Sequence, residues 1–195
     1  MQNNKKCIEL YKWGVKLKTR AECIKEYGSD YYINQMVSAG RLFRIDKGIF
    51  SETENVPELA VVCFKYPSSV ITMDTAFYLY GLTDEIPDQY TLATKREATP
   101  ITDPRVKQVF IPKELLNLGK TTTDYKGYSL PIFDRERMLI ELIRYKSKLP
   151  FNYYKEILNN YRRLLPQLNP EKIRDYAEAV PKKDTVIKIL RTEVY

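Results

Sequence analysis

The chain has 195 residues, with 32 Lys/Arg against 25 Asp/Glu for a net charge of +7, three Cys and no His. That length allows one domain or two small ones, and 44% hydrophobic with 29% charged residues is the composition of a chain that folds around a core. The missing imidazole excludes Ser-His-Asp and Cys-His hydrolysis, His-ligated zinc and His-based nuclease chemistry.

The longest apolar run, around residues 59–64, falls far short of the roughly 20 residues that span a bilayer. Nothing at 1–6 resembles a signal peptide. Cys7, Cys23 and Cys63 fit neither a disulfide framework nor a CxxC metal site, so the expected compartment is the cytoplasm, with no membrane partner. The charge is uneven: residues 1–50 carry ten Lys/Arg and five Asp/Glu, leaving only +2 on the rest. A basic N-terminal arm suits a polyanion such as nucleic acid.

Taken in chain order, residues 4–12 read as a first helix ended by Gly14. Thr19-Arg20-Ala21-Glu22 is a capping box that opens a second helix, closed by Gly28. Ser29 is placed to cap a third helix that runs to about 39 and stops at Gly40. Residues 42–45 and 49–50 then read as two strands joined by an Asp46-Lys47-Gly48 turn. Helix, capped helix, tight junction, helix and hairpin is the order of a winged helix-turn-helix.

The third helix divides its residues by face. Ile33, Met36 and Val37 make the core side, while Tyr31, Asn34, Gln35 and Ser38 lie on the other at i, i+3, i+4, i+7. Asn and Gln pair bidentately with adenine in the major groove, so these four are the expected base-reading residues. Lys16, Lys18, Arg20, Arg41, Arg44 and Lys47 flank them and are the expected phosphate contacts.

The texture changes after about residue 52, giving an expected DNA-binding domain at 1–52 and an α+β domain at 53–195. Helices are expected at 57–66 and 74–80, and strands at 69–72, 89–94 and 107–111. A strand pair turns at Lys126-Gly127 and continues to 133. Helices follow at 135–146, 153–165, 170–180 and 185–191; Asn169-Pro170-Glu171 supplies a cap, a first-turn proline and an acid. The fold class is therefore α+β: an N-terminal winged helix-turn-helix, then a mixed α/β domain with a small sheet and a helical C-terminal part.

Three segments resemble the AbiEi-type antitoxins, in that family's order and across most of the chain. Residues 40–50, Gly-Arg-Leu-Phe-Arg-Ile-Asp-Lys-Gly-Ile-Phe, resemble their G-x-L-x-R-x-x-x-G-x-aromatic wing. Residues 76–87 resemble their A-x-x-x-H-G-L-T-D-E-I-P segment, with Tyr80 where the family often has His. Residues 134–141 resemble their E-R-T-L helix start. The resemblance implies an antitoxin of a type IV, abortive-infection phage-defence system. Its winged helix would repress its own operon at promoter inverted repeats. Its C-terminal domain would counteract a nucleotidyltransferase-like toxin without a stable complex. The acid pair Asp84 and Glu85 falls in the shared segment and is a candidate antitoxin surface. Tyr80 implies packing in place of imidazole chemistry.

Enzyme readings have less to build on. Pro87-Asp88 and Asp124-Tyr125-Lys126 have the loose spacing of a metal-dependent nuclease or transferase, but the second pattern reads equally as a hairpin turn. No Gly-rich phosphate loop is present. The expectation is no catalytic residue, no metal and no cofactor. A winged helix serving as a protein-interaction module is a third reading.

Overall fold

The computed structural model describes residues 17–195, so the first expected helix and Lys16 lie outside the described residues. The architecture is α+β, with eight α-helices and two small sheets among the described residues. The chain divides into two compact units. Among the described residues the first comprises 17–68 and 123–130, and the second 69–122 and 131–195.

In the first unit, β1 (Lys18–Thr19) leads into α1 (Arg20–Tyr27) and α2 (Asp30–Ser38), followed by β2 (Phe43–Asp46) and β3 (Ile49–Ser51). The three strands form an antiparallel sheet in the order β1-β3-β2, with Lys18 opposite Phe50 and Phe43 opposite Ser51. The capping box is complete: the Thr19 hydroxyl accepts from the Glu22 N–H and the Thr19 N–H donates to Glu22 Oε2 at 2.7 Å. Gly28, at φ +90°, makes the junction between α1 and α2. Ser29 occupies the N-cap position of α2, but its hydroxyl makes no capping bond. Cys23, Ile33, Leu42 and Phe50 form the buried core of the unit, with Ile24, Tyr27, Met36 and Val37 packed against it.

The first unit extends past the expected boundary at 52 and includes α3 (Glu58–Lys65), whose residues 59–63 are all buried. The tip of a later hairpin also groups with it, and there Thr53 hydrogen-bonds the side chain of the buried Tyr128.

The second unit is built on β4 (Val70–Ile71), α4 (Met73–Leu79), β5 (Tyr90–Lys95), β6 (Val106–Ile111), β7 (Lys120–Tyr125) and β8 (Tyr128–Phe133), the last two extending into the hairpin tip. The five-stranded sheet runs β6-β5-β4-β8-β7. It is mixed: β4 pairs antiparallel with β5 and parallel with β8, and β5 pairs parallel with β6. Four helices follow: α5 (Arg135–Arg144), α6 (Phe151–Leu164), α7 (Pro170–Ala179) and α8 (Lys183–Ile189), the last running into a π turn at Leu190–Val194.

Seven consecutive residues of α5, 137–143, are buried, and α4, α6, α7 and α8 all pack against it. A helix buried on every side is the centre of its unit. Two of the seven are charged. Arg137 is 0% exposed and Glu141 3%, and Arg137 donates through Nε and Nη2 to Glu141 Oε1 at 2.9 and 2.6 Å. Arg144 binds both oxygens of the same carboxylate, at 2.7 and 2.9 Å. Asn169 caps α7 by accepting from the N–H groups of Glu171 and Lys172.

Candidate nucleic-acid interface

The surface of the first unit is organised by α2. Because Ile33 is buried and Met36 and Val37 pack on the core, the 3.6-residue period turns Tyr31, Asn34, Gln35 and Ser38 outward, and all four are exposed. They line one open depression of about 590 Å³ together with Met36, Ala39 and Arg41. The stripe expected from spacing is therefore a contiguous surface.

Local contacts order it. Gln35 Nε2 donates to the Tyr31 hydroxyl at 3.0 Å, one helical turn away, which fixes the direction of the amide. Tyr31 also meets Tyr32 edge to face, with ring centroids 5.4 Å apart and planes at 75°. Both rings are largely open, 66% and 54% exposed. Helical spacing places Tyr32 at the edge of the core, between the core stripe and the polar stripe, yet its ring is open to solvent.

The helix ends at Gly40, where φ is +67°. The N–H groups of Arg41 and Leu42 both return to the Met36 carbonyl, at 3.0 and 3.2 Å. This reversal puts Leu42 back into the core and leaves Arg41 on the rim of the depression.

The expected phosphate contacts separate into three groups. Arg41, Arg44 and Lys47 are exposed, and none forms an ion pair among the described residues. The Arg44 guanidinium lies over the Phe50 ring at 5.5 Å. At the hairpin turn the Asp46 carboxylate faces inward to its own chain: Oδ1 accepts from the Lys47 N–H at 2.6 Å and Oδ2 lies 3.4 Å from Lys65 Nζ. Lys47 is thus the outward charge of the turn.

Arg20 is exposed but forms a two-point ion pair with Asp30, which offsets its charge. Lys18 is a correction. It is only 6% exposed, and its ammonium donates to Glu52 at 2.7 Å, Glu26 at 2.9 Å and the Tyr27 hydroxyl at 3.4 Å. Burial opposes the charge, but the hydrogen bonds to Glu52 and Glu26 outweigh it and raise the lysine above its ordinary range. Lys18 ties β1 to α1 and to the residue after β3, and no phosphate can reach it. Its partners stand 8 and 34 residues away, so no local pattern marks the role.

In the second unit, Asp84 and Glu85 are exposed after α4, beside Ile86. Glu85, Asp88 and Asp74 share a depression of about 360 Å³ with Lys107, Lys148 and Tyr153. Asp74 is engaged by Lys107 Nζ at 3.1 Å and by the Tyr153 hydroxyl at 3.4 Å. Tyr80 packs as expected: its hydroxyl donates to the Phe133 carbonyl at 2.7 Å, and the Arg135 guanidinium covers its ring at 5.3 Å. Asp124 accepts from the Gly127 N–H in the β7–β8 turn. Among the described residues no three His, Cys, Asp or Glu side chains are grouped to hold a metal.

No protein-family model and no curated protein matches the chain. Among solved structures it is similar to the Rv2827c protein of Mycobacterium tuberculosis, with a TM-score of 0.61 and 13% identity over 91% of this chain and 73% of that one. The likeness is one of fold. Among the described residues no helix is long and apolar enough to cross a membrane.

Proposed function

We propose that the first unit is a winged helix-turn-helix that binds duplex DNA, with α2 as the reading helix and the β2–β3 hairpin as the wing. The observation that carries this reading is the joining of Tyr31, Asn34, Gln35 and Ser38 into one exposed surface with Arg41 on its rim. Asn and Gln side chains held outward on a helix suit base edges, and unpaired Arg41, Arg44 and Lys47 suit phosphates.

The three segments that resemble AbiEi-type antitoxins extend the reading. In it the protein is a cytoplasmic, non-enzymatic antitoxin that represses its own operon at promoter inverted repeats. Its second unit, through the surface at Asp84 and Glu85, counteracts a nucleotidyltransferase-like toxin without forming a stable complex.

A mobility-shift titration on the protein's own upstream region tests the first part. The expected result is retention of that fragment over a shuffled one, with affinity falling steeply as salt rises. Equal retention of both fragments would overturn base reading, and salt-independent binding would overturn the phosphate contacts. The second part requires a nucleotidyltransferase-like gene beside this one; on co-expression with it the full chain restores growth and a chain carrying Asp84→Lys and Glu85→Lys does not, and the absence of such a gene would overturn this part.

A further inference from the structure

A second cavity, of about 550 Å³, lies wholly within the second unit, between the turn after α5 and the start of α8. That volume is typical of small-molecule sites. Its wall carries Arg144, Lys146, Lys148 and Lys182 and no carboxylate, with the hydroxyls of Ser147 and Thr185 between them. Ile143, Val186 and Ile189 supply an apolar floor.

The positive charge is not cancelled from behind. Lys146 is neutralised by Glu193. Arg144, however, shares the Glu141 carboxylate with Arg137, so two guanidinium groups stand against one acid. Lys148 and Lys182 form no ion pair among the described residues; Lys148 lies 5.0 Å from the centre of the Tyr145 ring and borders both this cavity and the depression that holds Asp74, Glu85 and Asp88. The wall therefore faces the cavity with a surplus of about three charges by this pairing. Exposed lysines from segments more than thirty residues apart converge on one concavity, which raises the local positive potential.

The backbone points the same way. Lys182 sits at φ +62°, ψ +36°, left-handed space that a side chain with a Cβ rarely enters. Its carbonyl accepts from the Thr185 and Val186 N–H groups, which holds it there. Strain of this kind gathers where a side chain must be presented to a ligand.

We propose that this cavity binds a phosphorylated small molecule of nucleotide size. Lys148 and Lys182 grip the phosphates, Arg144 adds charge behind them, Ser147 and Thr185 donate to phosphate oxygens, and the apolar floor takes the body of the molecule. The site is independent of the DNA-reading surface.

Calorimetric titration of the full chain with ATP, adenosine and inorganic tripolyphosphate tests it. ATP binds at one site per chain, tripolyphosphate competes with it, and adenosine binds far more weakly. Lys148→Glu with Lys182→Glu weakens ATP binding by about ten-fold or more, as one close charge contact requires when reversed. The milder Lys148→Gln with Lys182→Gln weakens it less, and circular dichroism verifies that both variants are folded. Lys113→Glu with Lys120→Glu, exposed and outside the cavity, matches the change of charge and leaves ATP binding intact. Arg44→Ala with Lys47→Ala, in the first unit, also leaves it intact. Absence of binding, adenosine binding as tightly as ATP, or equal losses in the cavity and control variants would each overturn the proposal.

Discussion

The ammonium of Lys18 lies 2.7 Å from the Glu52 carboxylate, and this contact separates a structural lysine from the exposed bases around it. Lys18→Met should lower stability by about 1.5–3 kcal/mol, the range for hydrogen bonds to charged groups. It should leave DNA affinity per folded molecule unchanged. Lys47→Ala should do the reverse, with stability kept, binding weakened on every sequence and the salt slope reduced by about 1. Urea denaturation read beside mobility shifts checks both arms.

The hydrogen bond from Gln35 Nε2 to the Tyr31 hydroxyl makes Tyr31 a positioning residue for the amide. Tyr31→Phe keeps the ring and removes the acceptor. Preference among single-base variants of the operator should fall by about 1 kcal/mol, the low end for one side chain–base contact. The salt dependence should not move. A fall in affinity that is uniform over all variants would contradict the positioning role.

Arg137 and Glu141 are both buried, and Arg144 also holds the Glu141 carboxylate, so it is removal of Glu141 that strands the Arg137 guanidinium away from water. Glu141→Ala should cost about 3–5 kcal/mol, while Arg137→Met with Glu141→Leu should recover much of the loss, because the buried pair is replaced by apolar volume and the part-exposed Arg144 can turn to water. Paired denaturation curves measure the difference.

Two glycines with similar φ should respond differently to alanine. Gly119 has φ +72°, and a Cβ there would meet the Arg137 Cβ at 2.6 Å. Gly81 has φ +65° with open space around it. Gly81→Ala should cost about 1–2 kcal/mol for the left-handed backbone alone. Gly119→Ala should cost about 2–4 kcal/mol once overpacking is added. Thermal melts of the two variants give the comparison.

The C-terminal helices should lose stability at both ends of the pH scale. Hydrogen bonding from Lys146 holds the Glu193 carboxyl below its ordinary value. A depressed carboxylate contributes stability above its unfolded pKa of about 4.3, lost as pH falls through the folded value. Burial, with the Asp134 carboxylate beside it, pushes the Tyr176 phenol up to about 12. Its contribution is complete below the unfolded pKa of about 10 and is lost as pH rises toward 12. Glu193→Gln should flatten the acid limb of a stability–pH profile, and Tyr176→Phe should reduce the alkaline limb while leaving the acid limb unchanged.

Many elements from residue 120 onward were legible because their signals are local. The Asn169 cap, the Lys126-Gly127 turn and the periodicity of 135–144 act within a few residues, and α7, the β7–β8 hairpin and α5 form where those signals stand. The same holds in the first unit for the Thr19 capping box and for the outward stripe of α2, whose faces follow from helical geometry alone. The two-residue strand β1 escaped notice because so short a segment carries no period of its own.

Which charges are free was a different matter. Lys18 and Lys47 are both lysines beside turns in a basic segment, yet one is enclosed by Glu26 and Glu52 and the other stands open on the hairpin. Arg137 reads as an ordinary helix-surface arginine until four helices close around α5. The parallel pairing of Ile71 with Ile132 and the meeting of Lys148 with Lys182 at one cavity likewise join segments far apart in the chain. Sequence alone determined where capped helices and tight turns form and which face α2 turns inward, because capping, turn chemistry and periodicity are short-range forces. Burial, charge pairing and cavities were decided only by tertiary structure, because each depends on what a distant segment brings alongside.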